Sequence, residues 1–353
     1  MNIGIIGAGG IGLASAAWLA QRGHAVHLWA PRASAAHPRG AQPLVSTGVL
    51  DANVSVHWVS AVAELSGCEL ILIAVPVNAH RAVMDALAPA LRAGQTVLVS
   101  SMASLSSLYL HERVRALGTA DVTVASLGTT VLTARREAFD RVRIMTRRTQ
   151  LGVSALPTAR QDAVLRLCTG LFGEGFTPQA NALASALTNI NPAAHGPLAL
   201  FNWTRIERAE HWPQYHYMTE RVAAVIEKLD AERRALAGAF GLSVRSIEQH
   251  FAQSFDTRSE RLADIAAELH SKRGGPPGPI DIGTRFLSED VPYGLVFCAA
   301  LGRLAQVPTP ATDTIIATAG LIAGRDYARE NTLIEPLGLR DETAAGLLAR
   351  VSA

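Results

Sequence analysis

The chain begins MNIGIIGAGGIGL, in which a glycine-rich turn separates a short apolar run from a segment rich in Ala and Leu. The run at 3–6 predicts a buried strand, and the segment at about 13–21 predicts a helix. The turn itself, at 7–12, has the pattern G-x-G-x-x-G, and HAVHLWA at 24–30 predicts a second strand. This order of elements predicts an N-terminal Rossmann-type dinucleotide-binding domain of the α/β class.

Each glycine of the turn has a physical role in such a domain. Gly7 permits the tight turn, Gly9 lets the backbone approach a pyrophosphate, and Gly12 lets helix and strand pack closely. The free N–H groups at the helix start, beside Gly10, carry a partial positive charge that suits phosphates. We therefore predict that these four glycines bind the cofactor, the alternative being a turn that is only structural.

The end of the second strand indicates which dinucleotide is preferred. An NAD-selective domain usually has Asp or Glu there, to bond the ribose 2′-OH. This chain has WAPR at 29–32, with no carboxylate. Arg32 is suited to a 2′-phosphate, so we predict NADP as the preferred cofactor and NAD as the alternative. An exposed loop arginine without a ligand is the other interpretation of Arg32.

Strands and helices continue to alternate up to about residue 178, where we place the end of the first domain. Further strand-like segments lie at 54–59, 70–77, 96–101, 122–131 and 142–146. The loop PVNAH at 76–80 follows one of them, where a dinucleotide crosses the carboxyl edge of the sheet. Pro76 is therefore a predicted cofactor-binding residue. We set His80 aside, because a histidine in such a place more often opens the following helix.

From residue 179 the strand-like alternation stops and helical periodicity takes over, so 179–353 is predicted to be an all-α C-terminal domain. Helix candidates lie at 224–242, 259–273, 293–306, 311–324 and 340–351. GGPPGPIDIG at 274–283 predicts a loop. The aromatic segment 208–220 before these helices predicts either a wall for a substrate or a packed junction.

Composition excludes several classes of function. With 32 basic and 30 acidic residues, the net charge of +2 gives no reason to expect nucleic acid or a membrane surface as a partner. The three cysteines are far apart and form neither a disulfide framework nor a metal pair, so we predict no bound metal. No secretion signal follows Met1 and no apolar run is long enough to span a bilayer. We expect a cytoplasmic protein.

Hydride chemistry on a carbonyl or imine carbon needs an acid beside the oxygen or nitrogen that receives charge. Lysine supplies it in many two-domain enzymes of this architecture, but this chain has no lysine before Lys228. His195, in LTNINPAAHGPLALFNW, lies early in the helical domain where such an acid is expected. Asp290 is a candidate carboxylate to orient its ring. The alternatives are a packed histidine and an aspartate that caps a helix.

Five segments resemble the opine dehydrogenase family, the octopine/nopaline dehydrogenase group. They are LTNINPAAHGPLALFN, the R-I-E that follows it, LDAERRALAGAFGL, RFLSEDVPYGLV and VPTPATDTII. The resemblance covers nearly the whole chain. It implies a nucleotide-binding domain, a helical domain, and the NAD(P)H-dependent reductive condensation of an α-keto acid with the amino group of an amino acid. It also implies these two small-molecule substrates as partners, and we expect a homodimer.

The family's catalytic histidine matches His195, and its aspartate partner matches Asp290. The family's active-site asparagine matches Asn191, four residues before the histidine, and its arginine matches Arg285, five residues before the aspartate. By its chemistry Arg285 is suited to a substrate carboxylate, and Asn191 to the keto or imine group. The family often has Tyr where this chain has Phe286.

Two alternatives stay open. One is a 2-keto acid or imine reductase of the ketopantoate reductase/6-phosphogluconate dehydrogenase-like type, which reduces its substrate without an amine. The other is a regulatory protein that senses NADP without chemistry.

Overall fold

The computed structural model describes residues 1–31, 39–119 and 121–353. These residues form two compact units. The first unit consists of Met1–Ala186 together with Leu348–Ala353, and the second is Leu187–Leu347. Arg350 joins the first unit through two 2.8 Å hydrogen bonds to the carboxylate of Glu112. The first unit is α/β and the second is helical, which confirms the predicted fold class.

The described strands of the first unit belong to one sheet. Its order is β11-β10-β7-β6-β5-β1-β2-β4-β3-β9-β8. The strands are β1 (Asn2–Ile6), β2 (Ala25–Trp29), β3 (Gly40–Gly48), β4 (Ala52–Trp58), β5 (Leu70–Ile73), β6 (Thr96–Val99), β7 (Thr123–Leu127), β8 (Leu132–Ala138), β9 (Arg141–Arg147), β10 (Leu151–Leu156) and β11 (Phe176–Pro178).

The centre of the sheet is parallel, from β7 through β6, β5, β1 and β2 to β4. In β1, Ile3 pairs with Val26 of β2 on one side and with Leu70 of β5 on the other. Strands that are buried on both faces read as continuous apolar runs, and for that reason LILI of β5 was recognisable as a strand. All these strands end at one edge, where a dinucleotide-binding domain holds its ligand.

The helices of the first unit are α1 (Gly10–Gln21), α2 (His80–Leu87), α3 (Ser106–Ala116), α4 (Gln161–Phe172) and α5 (Ala182–Leu187). Helix α1 begins three residues earlier than the apolar pattern indicated, because Gly9 is its N-cap residue. Its small residues Ala14, Ala16 and Ala17 are fully buried, so strands can pack close to its axis. Besides β4 it packs against β8 and β9, the antiparallel extension of the sheet.

The helices of the second unit begin with α6 (Asn191–Phe201), α7 (Trp203–Glu207), α8 (Glu220–Ala239), α9 (Ile247–Phe255), α10 (Leu262–Arg273) and α11 (Arg285–Ser288). A π-helical turn, Asp290–Leu295, leads into α12 (Val296–Ala305), α13 (Pro310–Ala323), α14 (Tyr327–Glu330) and α15 (Ala344–Val351), whose last residues belong to the first unit. Among the described residues, no helix is long and apolar enough to cross a membrane.

A buried ion pair on α8 organises the second unit. Arg233 donates two hydrogen bonds to Asp230, of 2.9 and 2.6 Å, and both side chains are less than 5 % exposed. The guanidinium also donates to the backbone carbonyls of Leu187 and Arg245. The second oxygen of Asp230 accepts from the N–H of Ile247, at the start of α9. This network joins α8 to the chain segments before α6 and α9.

The Gly/Pro-rich loop at 274–283 packs on the aromatic segment at 208–220. The indole N–H of Trp212 donates to the carbonyl of Pro279 at 2.9 Å. Side chains at Gly278 and Gly275 would overlap the rings of Trp212 and Tyr215. The structure therefore shows these aromatic residues as a packed junction, which was one of the two interpretations of the segment.

Candidate functional site

The glycine-rich turn of the first unit has the geometry that its sequence pattern requires. Gly7 has a φ of +118°, which L side chains rarely adopt, and a Cβ on Gly12 would overlap the carbonyl of Gly7. A Cβ on Gly10 would lie only 2.7 Å from the carbonyl oxygen of Ala134 in β8. At Gly9 a Cβ would meet none of the surrounding atoms of the described residues within 4 Å. The backbone conformation and packing of the protein itself explain Gly7, Gly10 and Gly12, whereas Gly9 borders open space.

The start of α1 leaves its N–H groups available beside Gly9. This N-cap residue provides no side-chain cap, and the first turn contains no acidic residue. The positive end of the helix dipole is therefore not neutralised by a side chain of its own N-cap or first turn, which fits a pyrophosphate. Pro76 is exposed at the carboxyl end of β5, where it precedes a short 3-10 helix, Val77–Ala79. Arg32 lies outside the described residues.

His80 is fully buried at the start of α2. Its Nε2 lies 3.1 Å from the carbonyl oxygen of Val75 and must donate, so Nδ1 accepts from the hydroxyl of Ser106 at 2.9 Å. Burial lowers the pKa of His80 to about 4. The ring is therefore neutral and joins the loop beside Pro76 to the start of α3, which makes it a support for this loop.

We predict that His80 makes the protein less stable as the pH falls from 6.5 to 4. In this window the unfolded histidine binds a proton that the native ring, with its pKa of about 4, does not bind. Once His80 is fully protonated in the unfolded state and still neutral in the native state, the free energy of unfolding is lower by about 3 kcal/mol. Urea unfolding at several pH values measures this slope, and His80→Gln should reduce it. An unchanged slope in that variant, compared with His57→Gln as an exposed control, would contradict the prediction.

The second unit brings His195 and Asp290 together. Nδ1 of His195 lies 2.7 Å from Oδ2 of Asp290, and the two side chains are 13 % and 12 % exposed. A carboxylate can only accept here, so Nδ1 carries the proton and Nε2 is left for other partners. His195 lies in the second turn of α6, and Asp290 is the first residue of the π-helical turn. Turns of this kind often occur at functional sites.

Phe286 stacks on one face of the His195 ring. The two ring centroids are 3.6 Å apart and the planes are nearly parallel, at 3°. Phe286 is buried in α11, four residues before the π-helical turn begins at Asp290. Because Asp290 holds one ring nitrogen and Phe286 holds one ring face, His195 has little rotational freedom. Such fixed orientation is what an acid–base group requires.

Two glycines let α6 and the π-helical turn approach closely. A Cβ on Gly294 would overlap the ring of Pro192, and one on Gly196 would lie 3.1 Å from Leu295 and 3.3 Å from Ile315. A side chain at Gly294 would therefore force a shift, and one at Gly196 would be tightly packed against its neighbours. The glycine directly after His195 thus has a packing role, and it brings the histidine close to the turn that contains Asp290.

Asn331 supports the π-helical turn from outside. Its side-chain N–H donates to the carbonyl of Pro292 at 2.8 Å, and its side-chain oxygen accepts from the N–H groups of Leu333 and Ile334. The residue is buried. A carbonyl of the irregular turn is thereby satisfied, which helps to hold the backbone that carries Asp290. No local sequence pattern indicates this role, because Asn331 is far from both motifs.

Asn191 and Arg285 begin the two helices beside the pair. Asn191 is the first residue of α6, one turn before His195, and its backbone N–H is capped by Asn189 at 3.1 Å. Its own carboxamide makes no hydrogen bond with the described residues. Arg285 opens α11, is exposed, and has no carboxylate within 4 Å in the described part of the chain. Both polar groups are free for a ligand.

Two families match different parts of the chain. Residues 178–323 match the family model for the NAD/NADP octopine/nopaline dehydrogenase, alpha-helical domain. Residues 3–154 match the family model for ketopantoate reductase PanE/ApbA. The first of these includes His195 and Asp290, and the second includes the glycine-rich turn.

Relatives with known names resemble the chain over almost its full length. An opine dehydrogenase of Arthrobacter sp. (strain 1C) is 29% identical over 352 residues, which is 98% of either chain. The solved octopine dehydrogenase with NADH and L-arginine has a TM-score of 0.79 at 19% identity and covers 99% of this chain and 98% of its own. Yersinopine dehydrogenase with NADP+ bound has a TM-score of 0.72 at 17% identity, covering 100% of this chain and 98% of its own. By these matches the chain resembles the opine dehydrogenase family over almost its full length, and the part that matches its helical domain contains the paired His195 and Asp290.

Proposed function

We propose that this protein is an opine dehydrogenase, an NAD(P)-dependent oxidoreductase that acts on CH-NH bonds. In the forward direction it condenses an α-keto acid with the amino group of an amino acid and reduces the resulting imine. One observation carries the proposal: a histidine whose Nδ1 is 2.7 Å from a carboxylate and whose ring is stacked on Phe286 lies in the helical unit that matches this family.

The first unit fits a nicotinamide dinucleotide. Gly9 borders open space, the N–H groups of α1 lack a side-chain cap, and Gly7 and Gly12 shape the turn. In the proposal, Gly7, Gly9, Gly10 and Gly12 hold the pyrophosphate, and Pro76 lies along the path of the ligand. The bound cofactor supplies the hydride. We propose NADP as the preferred form, with NAD as the alternative.

The residues of the second unit supply the proton transfers. An amino acid must lose a proton before its nitrogen attacks the keto carbon, and the oxygen of the keto acid must gain protons to leave as water. Nε2 of His195 can relay both protons in turn to the departing oxygen, the first from the ammonium group and the second from the nitrogen after it has added to the keto carbon, because Nδ1 is already bonded to Asp290. The same carboxylate stabilises the imidazolium form while the ring holds the proton.

Asn191 and Arg285 complete the proposed site. The free carboxamide of Asn191, one helical turn from His195, can bond the keto or imine group and fix which face receives hydride. Arg285 has an exposed guanidinium with no acidic partner in the part of the chain that the structure describes, and a guanidinium binds carboxylates with two parallel hydrogen bonds. We assign to it a carboxylate of the substrate.

We further propose a cytoplasmic homodimer with no metal, nucleic acid or membrane partner. The location is supported by the cysteines, since Cys68, Cys168 and Cys298 are all free, as thiols are in a reducing compartment. Burial raises the pKa of Cys168 and of Cys298 to about 12, so neither thiol is a ready nucleophile or metal ligand.

The test follows NADPH absorbance in the presence of the purified protein and a panel of α-keto acids. Each keto acid is assayed with and without a pool of L-amino acids. We expect oxidation only when both partners are present, and mass spectrometry should find a secondary amine that contains both carbon skeletons. Oxidation with the keto acid alone would replace the proposal by a 2-keto acid reductase. Tight NADPH binding with no oxidation by any pair would favour the NADP-sensing alternative.

A further inference from the structure

Arg136, on strand β8, lies against the glycine-rich turn. Its Nη1 donates to the carbonyl oxygen of Ala8 at 3.1 Å, and its Nε donates to the carbonyl of Ala138 at 3.1 Å. Ala134, two residues earlier on the same strand, is the residue whose carbonyl excludes a side chain at Gly10. Strand β8 therefore places an arginine at the turn that is expected to bind a dinucleotide.

The side chains of Arg136, Phe139 and Trp58 stack in a row that extends to the carboxyl edge of the sheet. The guanidinium carbon lies 5.8 Å from the ring centroid of Phe139, and that ring stacks on Trp58 at 4.9 Å and 26°. Trp58 ends β4 and pairs with Leu28, the residue before the end of β2. In a dinucleotide-binding domain the ribose 2′ position lies at the end of this second strand. The row thus joins the glycine-rich turn to the ribose end of the predicted cofactor site.

The charges around Arg136 suit a phosphate. Two of its five N–H donors bond backbone carbonyls, which are neutral, and no carboxylate of the described residues lies within 4 Å. The described residues that end β2, WAP at 29–31, contain no acid to bond a ribose hydroxyl. An exposed guanidinium that is oriented by two backbone carbonyls has its other N–H groups available for an anion.

We propose that Arg136 binds the 2′-phosphate of NADP and thereby sets the preference of this enzyme for NADP over NAD. The inference rests on the proposed function only in requiring a nicotinamide dinucleotide. It assigns this specificity to a residue of strand β8, more than a hundred positions after the glycine-rich turn, in addition to the arginine that follows β2 in the sequence.

The test measures binding of two cofactor fragments by calorimetry, because binding does not depend on turnover. The fragments are 2′,5′-ADP, which carries the 2′-phosphate, and 5′-AMP, which lacks it. We expect the wild-type protein to bind 2′,5′-ADP more tightly, and Arg136→Gln to weaken that binding about 10- to 100-fold with little change for 5′-AMP. Arg136→Lys, which keeps the charge, should retain part of the preference.

Arg135→Gln is the matched control. Arg135 is exposed and adjacent on β8, so its side chain projects from the opposite face of the strand. This variant should bind both fragments like the wild type. Circular dichroism and the melting temperature check that each variant is folded. Binding of the same two fragments to Arg32→Gln measures the contribution of the arginine that follows β2.

Three results would overturn the inference. One is a wild-type protein that binds the two fragments equally. Another is an Arg136→Gln variant whose affinity for the two fragments falls equally, which would mean that the residue supports the glycine-rich turn or binds the 5′-phosphate. The third is an Arg136→Gln variant that keeps the wild-type preference for 2′,5′-ADP, and loss of that preference in Arg32→Gln would then assign it to the arginine after β2. Failure of the proposed opine synthesis would show instead as missing turnover with fragment binding intact.

Discussion

Replacing His195 with alanine is expected to lower kcat for the keto acid and amine pair about 10³-fold, within the range of acid–base groups. The variant loses the only ring nitrogen that Asp290 orients at 2.7 Å in the described structure, whereas the glycine-rich turn belongs to the other unit and is untouched. Steady-state NADPH oxidation measures the loss. The Kd for NADPH, measured by fluorescence, should stay within about twofold.

Asp290→Asn tests whether Asp290 acts by orienting the His195 ring, because the variant keeps the size of the side chain and changes its hydrogen bond. An amide can donate to Nδ1 and so favour the tautomer in which Nε2 carries the proton, so kcat should again fall by roughly two to four orders of magnitude. His57→Ala, which removes an exposed histidine from β4, should leave kcat unchanged. Near-normal turnover in His195→Ala would remove this residue from the mechanism, whatever the behaviour of Asp290→Asn.

Replacing Arg233 with methionine is expected to destabilise the protein by about 3–5 kcal/mol. The change leaves Asp230 charged, 3 % exposed and without its cation. It also removes the donors to the carbonyls of Leu187 and Arg245. Denaturant unfolding followed by circular dichroism measures the loss, with Arg234→Met as the control, because Arg234 is the exposed neighbour on α8.

The double variant Asp230→Leu/Arg233→Met tests the cause. It removes the uncompensated charge, so it should recover part of the stability that Arg233→Met loses. It should not recover all of it, since the carbonyls of Leu187 and Arg245 and the N–H of Ile247 lose their partners. A loss below 1 kcal/mol in Arg233→Met would show that water or another side chain replaces the guanidinium.

The sequence predicted the parallel centre of the sheet and missed most of the strands towards its two ends. Strands such as β5 are buried on both faces, so their residues are uniformly apolar. Strand β8 exposes most of LTARREA, and β11 has three residues including a proline, so neither has a strand-like pattern. Their positions depend on pairing with β9 and β10, which are interactions that a local pattern does not contain.

The candidate site was predictable where chemistry limits the residue types. A hydride-transfer site needs an acid, few titratable groups fit, and the resemblance indicated His195 and Asp290, which the structure then placed in contact. The contacts that hold them were not predictable in this way. Phe286 stacks on His195 as an ordinary core residue, and Asn331 supports a π-helical turn that only the folded backbone creates.

The return of the C-terminal residues to the first unit has a consequence for synthesis on the ribosome. Val351 is fully buried there, and the carbonyl of Ala353 accepts from the N–H of Thr158 at 2.8 Å. An N-terminal domain generally folds as soon as it emerges. Here the last contacts of the first unit must wait until the whole second unit has been translated, roughly 10–30 s at bacterial or eukaryotic rates. During that interval the nascent chain exposes the apolar surface that Val351 later covers, and chaperones that bind such surfaces would act at this stage.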